Sequence, residues 1–274
     1  MPLVQQEFAL QAFWPARLRH ERFGVFSFMR RRALRRVPRL PEGLRIYAVG
    51  DVHGRADLLV RLFAAIDADL ARRPPISKLE IFLGDYIDRG PNSRQVIDIL
   101  LARGQLHKLV LLKGNHETYP ARFLADPDSL DDWRPLGGLE TLASYGLAPS
   151  LNPDHAERRK LATRFAAALP DSHHNFFSGL QTSFCCGDFF FVHAGVRPGV
   201  ALDQQHEDDL LWIREDFLLH ERDFGKIIVH GHTPVRDADF CNNRINIDTG
   251  AFATGRLTCL TVEGEEVALL PVAP

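Results

Sequence analysis

The sequence predicts an α/β protein whose mostly parallel sheet is covered by helices. Three observations carry that prediction. From Leu44 onward, strand, loop and helix recur in that order three times. Each apolar run ends in a loop that pairs glycine with Asp, Asn or His. The composition, 45% hydrophobic and 25% charged over 274 residues with 19 phenylalanines, suits a chain that buries a large core.

The elements follow in order. Arg45-Ile-Tyr-Ala-Val49 reads as a strand ending in Gly50-Asp-Val-His-Gly54. A helix follows, with Leu58, Leu59, Leu62, Phe63, Ile66 and Leu70 on one face, and Arg72-Arg-Pro-Pro75 stops it. Leu79-Glu-Ile-Phe-Leu83 is a second strand, ending in Gly84-Asp-Tyr-Ile-Asp-Arg-Gly90. A second helix runs through Val96, Ile97 and Leu100, and Lys108-Leu-Val-Leu-Leu112 is a third strand ending in Lys113-Gly-Asn-His-Glu117. Three such units imply a parallel sheet with covered faces. Residues 118–180 read as a helical insert beside the strand ends. Strand character returns before His193, His230 and Asp248, and Leu257–Val262 with Glu266–Leu270 form a closing hairpin.

Charge is unevenly spread. Residues 1–45 hold ten arginines against three glutamates, although the whole chain carries only −2. Residues 1–43 therefore read as a basic N-terminal arm, a solvated tail whose suitable partners are anionic lipid or nucleic acid, followed by a catalytic body over 44–274. No apolar run approaches the length of a bilayer span, and the first residues lack a basic, then apolar, secretory leader. Four cysteines, Cys185, Cys186, Cys241 and Cys259, form no Cys-x-x-Cys pair. Together these predict a cytoplasmic protein with free thiols.

The chemistry lies at the strand ends. Asp51, His53, Asp85, Asn115, His116, His193 and His232 each follow an apolar strand. In open α/β sheets ligands bind beyond the carboxyl ends of the strands, so these side chains should converge. Carboxylate, imidazole and amide oxygen together suit divalent Mn, Fe or Zn. A shared carboxylate can bridge two ions roughly 3.5–4 Å apart, the arrangement used for in-line attack at phosphorus.

Gly50-Asp-Val-His-Gly54, Gly84-Asp-Tyr-Ile-Asp-Arg-Gly90 and Gly114-Asn-His-Glu117 resemble the three signatures of the calcineurin-like metallophosphoesterases, and more narrowly the phosphoprotein phosphatases. His193-Ala-Gly195, Gly231-His-Thr-Pro234 and Ile247-Asp-Thr-Gly-Ala251 resemble the bacterial and phage-lambda branch. The resemblance spans about Leu44 to Glu263. It implies a central β-sandwich of mixed sheets flanked by helices. It also implies two divalent metals, manganese first and iron or zinc as alternatives. One would bind Asp51, His53 and Asp85, the other Asp85, Asn115, His193 and His232. His116 matches the general acid and Asp88 the carboxylate orienting it. Arg89 and Arg214 match phosphate clamps, with Asn115 also on the phosphate. His230 reads as a packed neighbour, and His107, His155, His173, His174 and His220 as solvent-facing. Glu207-Asp-Asp209 reads as solvated surface.

Two departures matter. Lys113 stands where the family carries arginine, keeping the charge and losing the fork. The eukaryotic Ser-Ala-Pro-Asn-Tyr signature is missing, so no eukaryote-type regulatory subunit is expected. The expected function is a metal-dependent Ser/Thr protein phosphatase acting on a phosphorylated protein, by water activated between two cations. The alternative is hydrolysis of a dinucleoside polyphosphate or another small phosphoester. Bacterial diadenosine tetraphosphate hydrolases resemble this chain but typically lack the equivalents of Asp88 and Glu117, which is what favours the protein phosphatase. A third reading, a phosphate-binding module without catalysis, would need a missing ligand, and none is missing.

Overall fold

The computed structural model describes residues 37–272, so the basic arm up to residue 36 lies outside the described residues. The last residues of that arm belong to the folded body. Leu40 is buried, and its N–H bonds to the Gly264 carbonyl at 2.9 Å.

Ten strands form two sheets. The first contains β1 (Leu44–Val49), β2 (Ser77–Phe82), β3 (Leu109–Leu111), β9 (Cys259–Glu263) and β10 (Glu266–Leu269), in the order β10-β9-β1-β2-β3. Its first three strands are parallel, while β9 and β10 add antiparallel on the β1 side. The second contains β4 (Ser183–Cys186), β5 (Phe189–Val192), β6 (Ile227–His230), β7 (Asp239–Phe240) and β8 (Arg244–Asn246), in the order β4-β5-β6-β8-β7. Here β5, β6 and β8 are parallel, with antiparallel strands at both edges.

The two sheets share one core. Ile46 and Ala48 of β1, Leu79 and Ile81 of β2, Phe189 and Phe191 of β5, Val229 of β6 and Leu260 and Val262 of β9 form a single buried cluster. Alternate residues face the other way, because successive strand side chains point to opposite faces. Tyr47 and Val49 pack under α1 (Ala56–Arg72) and α2 (Ser93–Gly104), and Phe190 and Val192 pack under α8 (Glu207–Trp212) and α9 (Glu215–Leu218). Burial on both faces explains why these strands read as unbroken apolar runs. The result is the mixed-sheet sandwich with flanking helices that the motifs imply.

Helix α1 ends at Arg72 because Pro74 disfavours helical geometry in the residue before it, and Arg73 leaves the helix at φ −138°, ψ 75°. Two charged strand residues are buried in pairs: Arg45 of β1 meets Asp69 of α1 at 3.1 Å and Glu263 of β9 at 2.7 Å, and Glu80 of β2 meets Arg103 of α2 at 2.7 Å.

The insert is helical, with α3 (Tyr119–Ala125), α4 (Leu130–Trp133), α5 (Gly138–Ser144), α6 (His155–Ala168) and α7 (Asp171–Ser178) between β3 and β4. Phe123, Trp133, Leu142, Phe165 and Phe176 join the core outside the first sheet. Short α10 (Ala251–Thr254) lies between β8 and β9. Among the described residues no helix is long and apolar enough to cross a membrane.

Candidate metal centre

The turns after β1, β2, β3, β5, β6 and β8 bring the predicted side chains together, and they do so with an unusual backbone. Among the described residues, every non-glycine residue with positive φ belongs to this centre: His53 (44°), Asp85 (51°), Asp88 (71°), Arg89 (64°) and His232 (65°). Each such conformation costs about 1–3 kcal/mol unless its surroundings fix it. The fixing is visible. Val52 and His53 N–H groups donate to the Asp85 carbonyl at 3.1 and 2.8 Å, and Gly54 N–H donates to the Tyr86 carbonyl at 2.9 Å. The Glu117 carboxylate accepts from the N–H groups of Asp85, Tyr86 and Gly114 at 2.9, 2.8 and 2.9 Å, clasping the second turn to the third.

Two groups of donor atoms share Asp85: His53, Asp85 and His116, and Asp85, His193 and His232. In the second, His193 Nε2 lies 2.9 Å from Asn115 Oδ1, 3.1 Å from His232 Nδ1 and 3.4 Å from Asp85 Oδ1. His193 Nδ1 is 3.0 Å from the Leu83 carbonyl, so it carries the proton and leaves Nε2 a bare lone pair. His53 does the same, with Nδ1 donating to the Ile87 carbonyl at 3.0 Å and Nε2 3.4 Å from Asp85 Oδ2.

Asp51 stands beside the first group rather than in it. Its Oδ2 accepts from His232 N–H at 3.0 Å, and its Oδ1 is buried without a partner. The first group also takes in His116, whose Nε2 is 3.7 Å from Asp85 Oδ2.

The electrostatics ask for positive charge. Asp51, Asp85, Asp88, Glu117 and Asp248 are all buried. Burial, with Asp248 and Asp85 nearby, pushes Asp51 well above the usual carboxylate range. Burial lifts Asp248 to about 6, and burial with the Asp85 charge lifts Glu117 to about 8. Burial pushes His53 down to about 3 and also lowers His193 and His232, leaving neutral imidazoles. For Asp85 burial acts upward, but His116, His193 and His53 hold it below the ordinary range. Buried carboxylates and bare imidazole nitrogens aimed at common points, one carboxylate oxygen of them unpartnered, fit divalent cations.

His116 differs. Burial acts to lower its pKa, but Asp85 and Asp88 raise it to about 9. Its Nδ1 is 2.6 Å from Asp88 Oδ2, which also accepts from Trp133 Nε1 at 2.8 Å, while Thr141 Oγ1 donates to Asp88 Oδ1 at 2.5 Å. The guanidinium of Arg89 is exposed and lies 4.7 Å over the Phe252 ring. Arg214, also exposed, donates to Thr233 Oγ1 at 3.2 Å, one residue past His232.

Other expectations need correction. His173 is fully buried, bonded to the Tyr145 hydroxyl at 2.7 Å and Asp98 at 2.9 Å. His107 is half-buried, 3.3 Å from Glu80, and His220 packs against Phe224. His155 and His174 are exposed, and buried His230 packs against Phe217 as expected. Glu207 and Asp208 are exposed as expected, and within that surface Glu207 pairs with Lys113 at 2.7 Å and Asp209 with Arg197. Sequence reasoning marked Asp248 as a strand end and gave it no role, although it follows β8 as the other candidate side chains follow their strands. It also missed Trp133 and Thr141, which arrive from an insert without any motif.

A family model described as calcineurin-like phosphoesterase matches residues 44–256. A bis(5'-nucleosyl)-tetraphosphatase (asymmetrical) of Anoxybacillus flavithermus is 29% identical over 243 residues, covering 81% of this chain and 92% of the relative. Its counterpart from a Geobacillus species is 28% identical over 248 residues, covering 83% and 94%. A solved structure provisionally described as a diadenosine tetraphosphatase superposes with a TM-score of 0.57 at 20% identity, covering 84% of this chain and 94% of that one, which establishes a shared fold.

Proposed function

The chain belongs to the calcineurin-like phosphoesterase family, and on that premise we propose that it hydrolyses dinucleoside polyphosphates, splitting a dinucleoside tetraphosphate unequally. The observation that carries hydrolysis at phosphorus is the pair of buried donor groups sharing Asp85. The substrate class is supported by the two relatives described above, each of which bears the asymmetrical tetraphosphatase name. That reading replaces the Ser/Thr protein phosphatase favoured by Asp88 and Glu117 alone.

In this proposal Asp51, His53 and Asp85 hold one divalent cation, and Asp85, Asn115, His193 and His232 hold a second, with manganese the first candidate. When bound, the cations supply an acidified water and neutralise phosphate charge. The chain's own groups do the rest. Backbone carbonyls of Ile87 and Leu83 fix the tautomers of His53 and His193, so both present Nε2 to the centre. Arg89 and Arg214 clamp phosphate oxygens, with Asn115 beside them. His116 donates a proton from Nε2 to the departing oxygen while Asp88 holds its Nδ1–H.

One observation favours a second reading. A polyphosphate leaving group departs with little protonation, whereas the alkoxide of phosphoserine needs an acid, and the buried His116–Asp88 pair is built as one. Metal-stripped protein reconstituted with Mn²⁺ should therefore be given diadenosine tetraphosphate and a phosphoserine peptide in parallel. Metal-dependent release of AMP and ATP at the higher kcat/KM is the expected result. Release of phosphate from the peptide alone would install the second reading, and turnover of neither would remove hydrolysis.

A further inference from the structure

Of the large apolar side chains left exposed among the described residues, Trp212 is the one in ring contact with the centre. It is 41% exposed at the end of α8, with its ring centroid 6.3 Å from that of His232. Two neighbouring aliphatic residues explain why it faces outward. Leu210 and Ile213 are buried against the second sheet, and the Leu210 carbonyl accepts from Ala194 N–H at 2.8 Å, next to His193. Neither ring beside Trp212 is stacked on it: the planes of His232 and Tyr119 stand at 84° and 77° to the indole. Phe252, the ring on the His53 side, already carries the Arg89 guanidinium on its face. Two residues beyond Trp212, the Arg214 guanidinium is exposed near His232.

An exposed indole with no parallel ring upon it, beside a phosphate-handling centre and a guanidinium, has the chemistry of a nucleobase platform. We propose that Trp212 stacks one base of the substrate and thereby sets which phosphate is attacked. This inference rests on the dinucleotide reading above. A base on Trp212 sits one stacking layer from a ring that itself touches His232, so the phosphate brought to the centre is the one joined to that nucleoside. The unequal split follows. One water is consumed: its oxygen bonds to that phosphorus, the bridge to the next phosphate breaks, and the bridging oxygen leaves on the nucleoside triphosphate. The nucleoside monophosphate keeps the water oxygen, the departing oxygen takes a proton from His116 Nε2, one water proton restores His116 through solvent, and the other stays on the monophosphate or passes to solvent.

The test compares the Mn²⁺-loaded full chain with its Trp212→Ala and Trp212→Phe variants on diadenosine tetraphosphate and on inorganic tripolyphosphate, which has no base. Loss of one stacked base should raise KM for the dinucleotide roughly 5- to 150-fold. The ratio of kcat/KM between the two substrates should fall with it. ADP should appear beside AMP and ATP in Trp212→Ala, and Trp212→Phe should restore most of the affinity and the unequal products. Equal losses on both substrates, or an unchanged product pair in Trp212→Ala, would overturn the platform while leaving the dinucleotide reading intact. Failure of the unaltered enzyme to turn over diadenosine tetraphosphate would overturn both, so the two failures are separable.

Discussion

His116 is held from one side and open on the other. Its Nδ1 is fixed by Asp88, a carboxylate that Trp133 and Thr141 lock in place, so the ring cannot turn without breaking a fully buried network. Its Nε2 faces Asp85 and His53, where it could either donate a proton or join the first group as a ligand. The two roles separate on substitution. His116→Asn should leave Mn²⁺ affinity unchanged, cut hydrolysis of a phosphoserine peptide by roughly 10²–10⁴-fold, and slow p-nitrophenyl phosphate by less than about tenfold. The nitrophenolate leaves without a proton, which is why the losses should differ. Equal losses on the two substrates, or a fall in Mn²⁺ affinity by calorimetry, would place His116 among the ligands instead.

At the scale of the element, the centre depends on how closely the strand-end turns approach. A Cβ on Gly54 would lie 2.5 Å from the Gly90 carbonyl oxygen, and one on Gly90 would lie 2.2 Å from the His53 carbonyl oxygen, both backbone atoms that cannot swing aside. Gly54 also sits at φ +63°, where a side chain adds strain. Gly54→Ala should therefore push the first two turns apart, displace His53 from Asp85, and weaken Mn²⁺ binding at least tenfold, about 1.4 kcal/mol. Calorimetric titration checks it, and unaltered affinity would show that the turns do not set the ligand spacing.

These glycines were legible because they close the motifs that follow β1 and β2, and β1, β2, β3, β5 and β6 were legible as hydrophobic runs. The unreadable elements are those whose reason is tertiary. Strand β4 contains Cys185 and Cys186 and looks like a turn approach, yet it pairs with β5 as an edge. Strand β7 has two residues, and α10 has four, too few for any periodicity. His173 follows the end of a helix rather than of a strand, and Tyr145 and Asp98, distant in sequence, hold its buried ring.

Over the whole molecule the centre is a joint between sheets. His53, Asp85 and Asn115 come from the first sheet, His193 and His232 from the second, and the sheets otherwise meet through the apolar cluster between them. Cations held there would bridge the halves, and without them burial, with Asp85 nearby, raises the pKa of Asp51 and of Asp248 above the ordinary carboxylate range. Whatever binds the native state alone stabilises it by mass action, about 2.7 kcal/mol at a hundred times Kd and about 4.1 kcal/mol at a thousand times. For a body of this size that corresponds to a Tm change of roughly 5–15 °C. Chelation should lower the melting temperature of the entire cooperative transition by that amount at pH 7.5, and added Mn²⁺ should restore it. Because the ligands come from both sheets, signals from the two halves should shift together. Tryptophan fluorescence, with Trp133 beside the first sheet and Trp212 beside the second among its sources, and far-ultraviolet circular dichroism from all strands should give one midpoint before and after chelation. A metal-free protein, verified by elemental analysis, that melts where the loaded one does would mean that the apolar core alone joins the sheets and that the centre hangs on a scaffold indifferent to it.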